Sequence, residues 1–420
     1  ALGRVAAELE CVESQMAEAD ALNTGVSVAL TRLIAGSLKG AFVGGERSTR
    51  WETRVEGTFG RIDCSRRPWG PVVILAPWNV PGGSVAPKVA AALMAGCPVI
   101  LKPSEWAPLG LDLFGRAVHK AGLPKGVFQL LHGAGDLGEA LVADTRCRAV
   151  NFTGSVAVGR RVLKLCAEQM KPALFELGGS NPVIVRRDVD VATAAEGVAQ
   201  AMAQLNGQWC GGPGRLIVHD TLEDDLVSAI VERFAAMTFA ASTDASQEVG
   251  VLGPIAHRFH WVALHAELQR LRGLGGKVHT ATKIPESFAR GNFFAPALVT
   301  GLGMESCFSE CFGPVCTVHT FVSDEEAVDM ANAVDGFVLS TVYSRDIHVA
   351  RNMGRRLRSG MVMINGSSFG FDTGETGIEP RFSYWGMAGS GEDGPMQALL
   401  EFFSGSRVVG VNGAMPGGVG

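Results

Sequence analysis

Residues 70–105 of the 420-residue chain read GPVVILAPWNVPGGSVAPKVAAALMAGCPVILKPSE. Two short apolar runs, 71–75 and 97–101, flank a tight loop and a segment of small apolar residues with helical character. Short buried strands separated by helices are typical of a parallel β-sheet. The stretch therefore predicts a strand–helix–strand unit and an α/β fold.

The same alternation continues on both sides of this stretch. Further apolar runs predict strands at 127–131, 149–153, 172–175, 182–185, 215–219, 339–343 and 361–365. Periodic segments predict helices at 85–95, 109–121, 156–170, 191–204, 222–239, 257–274, 324–333, 347–357 and 395–403. Residues 1–40 predict helices, 50–67 a projecting hairpin and 407–411 a short strand. Parallel sheets bind ligands at the carboxyl ends of their strands. The residues at these predicted ends are Asn79, Lys102, Glu105, Gly154 and Ser155.

The composition indicates an enzyme-like globular chain. Hydrophobic residues make up 47% and charged residues 19%, so a large core is expected. The net charge is −5 and no basic block occurs, which argues against a nucleic-acid or anionic membrane partner. The apolar run 89–101 is shorter than the roughly 20 residues that a membrane span needs, so no membrane association is expected.

Nine scattered cysteines, with no C-x-x-C pair, favour free thiols in a reducing compartment, and we expect the protein to be cytoplasmic. The spacing of three of them, Cys307, Cys311 and Cys316, could suit metal ligands. No histidine pair or second cysteine cluster accompanies them, so no metal site is predicted.

One cysteine lies in a setting that suits a nucleophile. Cys210 sits between a turn of small residues and the glycine-rich exit Gly211-Gly212-Pro213-Gly214, which leaves room for a substrate and for backbone N–H groups. Glu176 follows a predicted strand and could act as a general base. The alternative for Cys210 is a buried small hydrophobe, the usual state of a free cysteine.

Four other motifs each allow two interpretations. Gly154-Ser155 could bind an anion at a helix N-terminus or form an ordinary turn, and Lys102 with Glu105 could bind ribose or form a solvated pair. Asn79 could donate to an oxyanion or stabilise a turn. The segment 310–314 could present a carboxylate and an aromatic ring to a ligand, or be a plain loop.

Taken together, these motifs resemble those of the NAD(P)-dependent aldehyde dehydrogenase superfamily over roughly residues 5–412. The matching stretches are Pro77-Trp78-Asn79-Val80-Pro81, Lys102-Pro103-Ser104-Glu105, Phe152-Thr153-Gly154-Ser155, Glu176-Leu177-Gly178-Gly179, Gly207-Gln208-Trp209-Cys210 and Glu310-Cys311-Phe312-Gly313-Pro314. The resemblance implies that Cys210, Glu176 and Asn79 are catalytic. It also implies cofactor-binding residues: Trp78, Lys102, Ser104, Glu105, Gly154, Ser155, Gly159, Leu177, Gly178, Glu310 and Phe312.

The resemblance further implies a domain plan. A Rossmann-type cofactor-binding domain is expected at 1–177, with a protruding hairpin at about 50–68. An α/β catalytic domain is expected at 178–384. Residues 385–420 would return to the cofactor domain and supply an oligomerisation strand at about 407–412, in a homodimer or homotetramer.

The implied reaction is oxidation of an aldehyde to a carboxylic acid. Cys210 would form a thiohemiacetal and then a thioester, and Glu176 would activate water for its hydrolysis. Glu105 favours NAD because a carboxylate repels a 2′-phosphate, although Lys102 and Ser104 could tolerate NADP. Three alternatives remain: a coenzyme-A-acylating dehydrogenase, a catalytically idle binding protein, and a cofactor-free thioesterase or esterase.

The chain also departs from the family pattern. In the stretch 384–391, Trp385 and Ala388 replace a glycine and a lysine of the family, which puts the substrate class and the assembly in question. We expect the aldehyde pocket near Cys210 to be lined by one bulky residue, Trp209, and by two residues without side chains, Gly211 and Gly212. The N-terminal segment is shorter than is usual in the family, so part of the cofactor domain is expected to be altered.

Overall fold

The computed structural model describes residues 1–43, 52–57, 60–246, 251–366, 382–383, 389–390, 392–393 and 396–412. The chain opens with helices α1 (Leu2–Thr24) and α2 (Val28–Leu38) and a hairpin of β1 (Glu52–Gly57) and β2 (Gly60–Pro68). Ser27 caps α2 because its Oγ accepts a hydrogen bond from Leu30 N. The two helices and the paired strands agree with the helices predicted in 1–40 and with the hairpin predicted at 50–67, within the residues that the structure describes.

The next section alternates strands and helices. Its strands are β3 (Val72–Leu75), β4 (Val99–Lys102), β5 (Phe128–Leu130), β6 (Ala149–Thr153) and β7 (Ala173–Glu176). Its helices are α3 (Pro81–Ala95), α4 (Leu109–Lys120), α5 (Gly135–Ala143) and α6 (Val156–Glu168). Helix α3 begins four residues before its predicted start because proline suits the first position of a helix.

The alternation restarts after β7. The strands are β8 (Asn181–Val185), β9 (Pro213–His219), β10 (Lys277–His279), β11 (Ala297–Thr300), β12 (Val315–Phe321), β13 (Leu339–Tyr343) and β14 (Met361–Ile364). The helices are α7 (Val191–Ala203), α8 (Glu223–Ala236), α9 (Arg258–Gly273), α10 (Asp324–Asn332) and α11 (Ile347–Gly354).

The C-terminal part contains short elements and one long strand. These are β15 (Phe382–Ser383), β16 (Gly389–Ser390), β17 (Glu392–Asp393), α12 (Met396–Phe402) and β18 (Ser404–Asn412). Strand β18 pairs antiparallel with β2, so the strand predicted at about 407–412 joins the N-terminal hairpin. Its role in oligomerisation stays a prediction.

The strands form two large sheets. The first has the order β16-β7-β6-β3-β4-β5, and the second β10-β11-β12-β9-β8-β13-β14. Within each sheet the strands are parallel except for one antiparallel edge strand, β16 in the first and β10 in the second. This arrangement confirms the α/β class, while the domain bounds 1–177, 178–384 and 385–420 stay a prediction.

Apolar cores cover both faces of the first sheet. Alternate residues of β3 face opposite sides: Val72 and Ile74 pack with α3 and α4, and Val73 and Leu75 pack with α5 and α6. The carboxyl ends of β3, β4, β6 and β7 therefore meet at one edge, which is where the candidate site lies.

Candidate active site

A cavity of about 940 Å³ runs along the carboxyl edge of the first sheet. All but one of the sequence-predicted site residues line it. These are Cys210, Glu176, Asn79, Trp78, Lys102, Ser104, Glu105, Gly154, Ser155, Leu177, Gly178, Glu310 and Phe312. Gly159 lies outside this lining: a Cβ there would meet Leu177 Cδ2 at 2.7 Å, so this glycine lets α6 pack closely against Leu177.

Cys210 occupies a tight turn that follows a backbone in the left-handed region. Leu205, Asn206 and Gly207 have φ values of 51°, 59° and 77°. A Cβ on Gly207 would overlap the backbone nitrogen of Pro314, so only glycine fits there. Gly212 N then donates to Trp209 O at 3.0 Å and closes the turn around the half-buried Cys210.

Trp209 does not line the aldehyde pocket, contrary to the prediction. Its side chain is 5% exposed and packs in a cluster with Val26 and Leu339. Its Nε1 donates to Ala201 O at 3.0 Å. The indole therefore anchors the turn to the core and lies outside the lining of the cavity.

Burial and the charges of two carboxylates disfavour ionisation of the Cys210 thiol. Burial, followed by the charges of Glu176 and Glu310, raises the pKa of the Cys210 thiol to about 12. Lys88 and the backbone N–H of Cys210 itself act in the opposite direction.

Asn79 contacts the nucleophile turn directly. Its Nδ2 donates to Gln208 O at 2.9 Å, two residues before Cys210. The side chains of Asn79 and Cys210 line the same cavity. This position fits the predicted role as an oxyanion donor.

Lys88 is a site residue that the sequence motifs did not indicate. It lies on α3, and its Nζ pairs with Oε1 of Glu176, whose side chain is only 13% exposed. Lys88 also contacts Ser84 Oγ at 3.1 Å and Thr153 Oγ1 at 3.3 Å. The candidate general base, Glu176, is therefore paired with the buried ammonium group of Lys88. The only sequence signal for Lys88 was its place as a lysine within an apolar helix.

Glu310 lines the cavity and contacts the backbone that follows β7. Gly179 N donates to its Oε1 at 3.2 Å. Burial raises the pKa of Glu310 to about 7, against the lowering effect of this hydrogen bond. A Cβ on Gly178 would overlap the Glu310 carboxylate, so the glycine is required for its position.

Aromatic rings close one wall of the cavity. Phe312 has a φ of 50°, and its ring lies 5.4 Å from that of Trp78 in a T-shaped contact. His260 Nε2 lies 2.8 Å from Phe312 O and supports this strained residue. His260 lines the cavity and, like Lys88, was not predicted.

The strand ends supply polar groups at the other end of the cavity. Lys102 Nζ donates to Pro103 O at 2.7 Å and lies 3.6 Å from Glu105 Oε2. Burial lowers the pKa of Lys102. Ser155 caps α6 because its Oγ accepts a hydrogen bond from Val158 N at 3.4 Å.

Three further observations concern metal ligands, membrane-spanning helices and the stretch 384–391. In the part of the chain described, no group of three or more His, Cys, Asp or Glu side chains could hold a metal ion. No helix within the described ranges is long and apolar enough to cross a membrane. The stretch 384–391, which departs from the family pattern, falls largely outside the described residues, and only the backbone of 389–390 is described, beside β7.

Comparisons with known proteins agree on one family. A profile of the aldehyde dehydrogenase family matches residues 1–406. The chain is 32% identical over 332 residues to chloroplastic betaine aldehyde dehydrogenase of Beta vulgaris, covering 75% of this chain and 66% of that protein. It is also 32% identical over 332 residues to peroxisomal aminoaldehyde dehydrogenase 1 of Pisum sativum, covering 75% of this chain and 65% of that protein.

The solved structures show the same similarity. The crystal structure of an NAD-dependent aldehyde dehydrogenase from Sinorhizobium meliloti superposes with a TM-score of 0.90 at 26% identity, over 99% of this chain and 82% of that one. The chain spans slightly less than two thirds of the length of the curated relatives given above.

Proposed function

The chain belongs to the aldehyde dehydrogenase family, and on that premise we propose that it oxidises an aldehyde to a carboxylic acid with NAD⁺. The observation that carries this proposal is the single cavity in which Cys210, Glu176, Asn79 and Glu310 meet. These groups supply a nucleophile, a base, an oxyanion donor and a carboxylate for a cofactor hydroxyl. The proposal covers activity, substrate and assembly alike.

The cavity fits a dinucleotide. The capped N-terminus of α6 offers backbone N–H groups to a pyrophosphate, and Gly154 and Ser155 line the cavity beside them. Lys102 and Glu105 lie at the end of β4 and suit the hydroxyls of one ribose, and Glu310 suits those of the other. When bound, NAD⁺ supplies the hydride acceptor for the reaction.

The Cys210 thiol first releases its proton to solvent, and the thiolate then attacks the aldehyde carbon. The Asn79 amide and the Cys210 N–H stabilise the resulting oxyanion, and loss of one such donor costs on the order of 10²–10³ in rate. Oxidation leaves a thioester on Cys210. Glu176 then takes a proton from water, which attacks the thioester and releases the acid.

Glu176 favours hydrolysis over acyl transfer to coenzyme A, because hydrolysis needs a base beside the thioester. Its position in the cavity with Cys210 supports this choice. Glu105 favours NAD⁺ over NADP⁺ because its carboxylate repels a 2′-phosphate.

The proposed assembly is a homodimer or homotetramer built through the sheet β1-β2-β18. Val408 and Val409 on β18 and Ile62 on β2 are exposed on it, which suits burial against a second copy. Nine free thiols support a cytoplasmic location. Light scattering on the purified chain measures the assembly.

A panel of aldehydes with NAD⁺ and NADP⁺ tests the function. Betaine aldehyde and aminoaldehydes come first, because the curated relatives are named for them. We expect reduced cofactor and the acid product in equal amounts. Cys210→Ala abolishes both, while Cys11→Ala, which alters an exposed thiol, leaves the rate unchanged. Turnover in Cys210→Ala would contradict the proposal.

A further inference from the structure

Asn181 connects the nucleophile turn to two other segments of the chain. It begins β8 and is 2% exposed. Its Nδ2 donates to Cys210 O at 2.7 Å and to Gly212 O at 2.8 Å. Its Oδ1 accepts from Val338 N at 2.9 Å and from Leu339 N at 3.1 Å. The amide therefore uses both of its N–H groups and both lone pairs, and backbone partners on each side define its orientation.

These contacts restrain both peptide planes that flank the Cα of Cys210. The plane before it is held because Trp209 O accepts from Gly212 N at 3.0 Å. The plane after it is held because Cys210 O accepts from Asn181. Since peptide units are rigid, the two bonds together set the φ and ψ of Cys210. They thereby set the direction of its N–H and of the Cα–Cβ bond that carries the thiol.

The segment that carries Asn181 is itself firmly held. Arg215 is fully buried, and its Nε and Nη2 donate to Ser180 O at 3.0 Å and 2.8 Å. A Cβ on Gly179 would meet Phe337 Cα at 2.7 Å, so the backbone packs closely against the segment that leads into β13. Residues 177–181 follow directly from Glu176 in the chain. Asn181 therefore couples the position of the base, Glu176, to that of the nucleophile, Cys210.

We propose that Asn181 is a positioning residue for the nucleophile: its amide holds the Cys210–Gly211 peptide so that the thiol and the Cys210 N–H both face the substrate. The kinetic part of this proposal rests on the proposed function. The thiol reactivity of Cys210 tests it independently of any substrate.

The test compares Asn181→Asp, which keeps the shape but lacks N–H donors, with Asn181→Ala. The control is Asn332→Asp, because Asn332 also bridges two backbone groups, Arg356 O at 2.9 Å and Arg358 N at 3.0 Å, without contacting the site. Iodoacetamide labelling of the Cys210 peptide is followed by mass spectrometry in folded full-length protein. Turnover is measured per titrated active site.

We expect Cys210 in both Asn181 variants to be alkylated about fivefold more slowly than in the wild type. We expect kcat per site to fall about 10²-fold, since small displacements of reacting groups have effects of this size. The KM for NAD⁺ stays within about threefold of the wild type, because the cofactor contacts are untouched. We expect Asn332→Asp to match the wild type in the alkylation rate of Cys210, in kcat per site and in the KM for NAD⁺.

Unchanged alkylation and unchanged kcat per site in both variants would overturn the proposal. So would failure of both variants to fold while Asn332→Asp folds, because Asn181 would then serve global stability only. If the wild type oxidises no aldehyde, the proposed function fails, and the alkylation rates alone decide the role of Asn181.

Discussion

The backbone N–H of Gly179 donates a 3.2 Å hydrogen bond to the carboxylate of Glu310, across 131 residues of sequence. The bond joins two motifs that lie on different sides of the cavity. Gly178 beside it has no side chain, and a Cβ there would overlap the Glu310 oxygens. The position of Glu310 therefore depends on a backbone donor and on an adjacent glycine.

Gly178→Ala is expected to displace Glu310 and weaken cofactor binding. The KM for NAD⁺ should rise about tenfold, equivalent to about 1.4 kcal/mol. Steady-state kinetics with varied NAD⁺ measures the change. Gly273→Ala is the control, because nothing lies within 4 Å of a Cβ at that position. An unchanged KM in Gly178→Ala would show that Glu310 does not hold the cofactor.

Lys88→Met is expected to slow thioester hydrolysis. The buried ammonium group pairs with Oε1 of Glu176, so without it the candidate base loses the contact that holds its carboxylate, and kcat falls about tenfold. Steady-state turnover at saturating aldehyde and NAD⁺ measures the change. The exposed Lys164→Met serves as the control. A kcat equal to that of the wild type would show that Lys88 does not position Glu176.

Glu105→Gln is expected to change the cofactor preference. Loss of the carboxylate beside Lys102 removes the repulsion of a 2′-phosphate, so the kcat/KM ratio of NADP⁺ to NAD⁺ rises about tenfold. Both cofactors are compared with one aldehyde. Glu286→Gln, remote from the cavity, should leave the ratio unchanged. A fall in the ratio for Glu105→Gln would contradict the assignment.

Asp20→Asn is expected to stabilise the protein at neutral and alkaline pH. Asp20 is 5% exposed, its Oδ1 has no hydrogen-bond partner among the residues that the structure describes, and burial raises its pKa to about 7. The folded protein accommodates Asp20 in its protonated form. The stability contributed by protonated Asp20 is therefore complete below the ordinary pKa of 3.8 and is lost as the pH rises through about 7.

The amide variant avoids this loss. Its advantage in the free energy of unfolding should be near zero at low pH and on the order of 2–4 kcal/mol at pH 8. Thermal denaturation across this pH range measures it. The exposed Asp335→Asn should show no such trend. A constant difference between Asp20→Asn and the wild type would refute the linkage.

Much of the fold followed from local pattern. The predicted strands at 149–153 and 339–343 agree with β6 and β13 residue for residue. Helix α5 was not predicted, because three glycines in the segment 133–138 obscure its periodicity. Strands β10 and β11 have only three and four residues, too few for a reliable alternation. The family was confirmed by the profile match.

The candidate site was predictable only where a motif marked it. A lysine within an apolar helix did not reveal the role of Lys88, because that role depends on how α3 passes the ends of β6 and β7, which is a tertiary relationship. The direction of Trp209 was predicted wrongly for a similar reason. In an irregular turn with left-handed residues, neither the helical nor the strand period tells which way a side chain points.

A rapid-mixing experiment on Glu176→Gln tests the central claim most directly. The wild type should show continued formation of reduced cofactor. Glu176→Gln should form about one reduced cofactor per active site and then stall, because the thioester on Cys210 is made but not hydrolysed. The modified Cys210 peptide should carry the acyl group by mass spectrometry. Steady turnover in Glu176→Gln, or a stall without an acyl group on Cys210, would contradict the account.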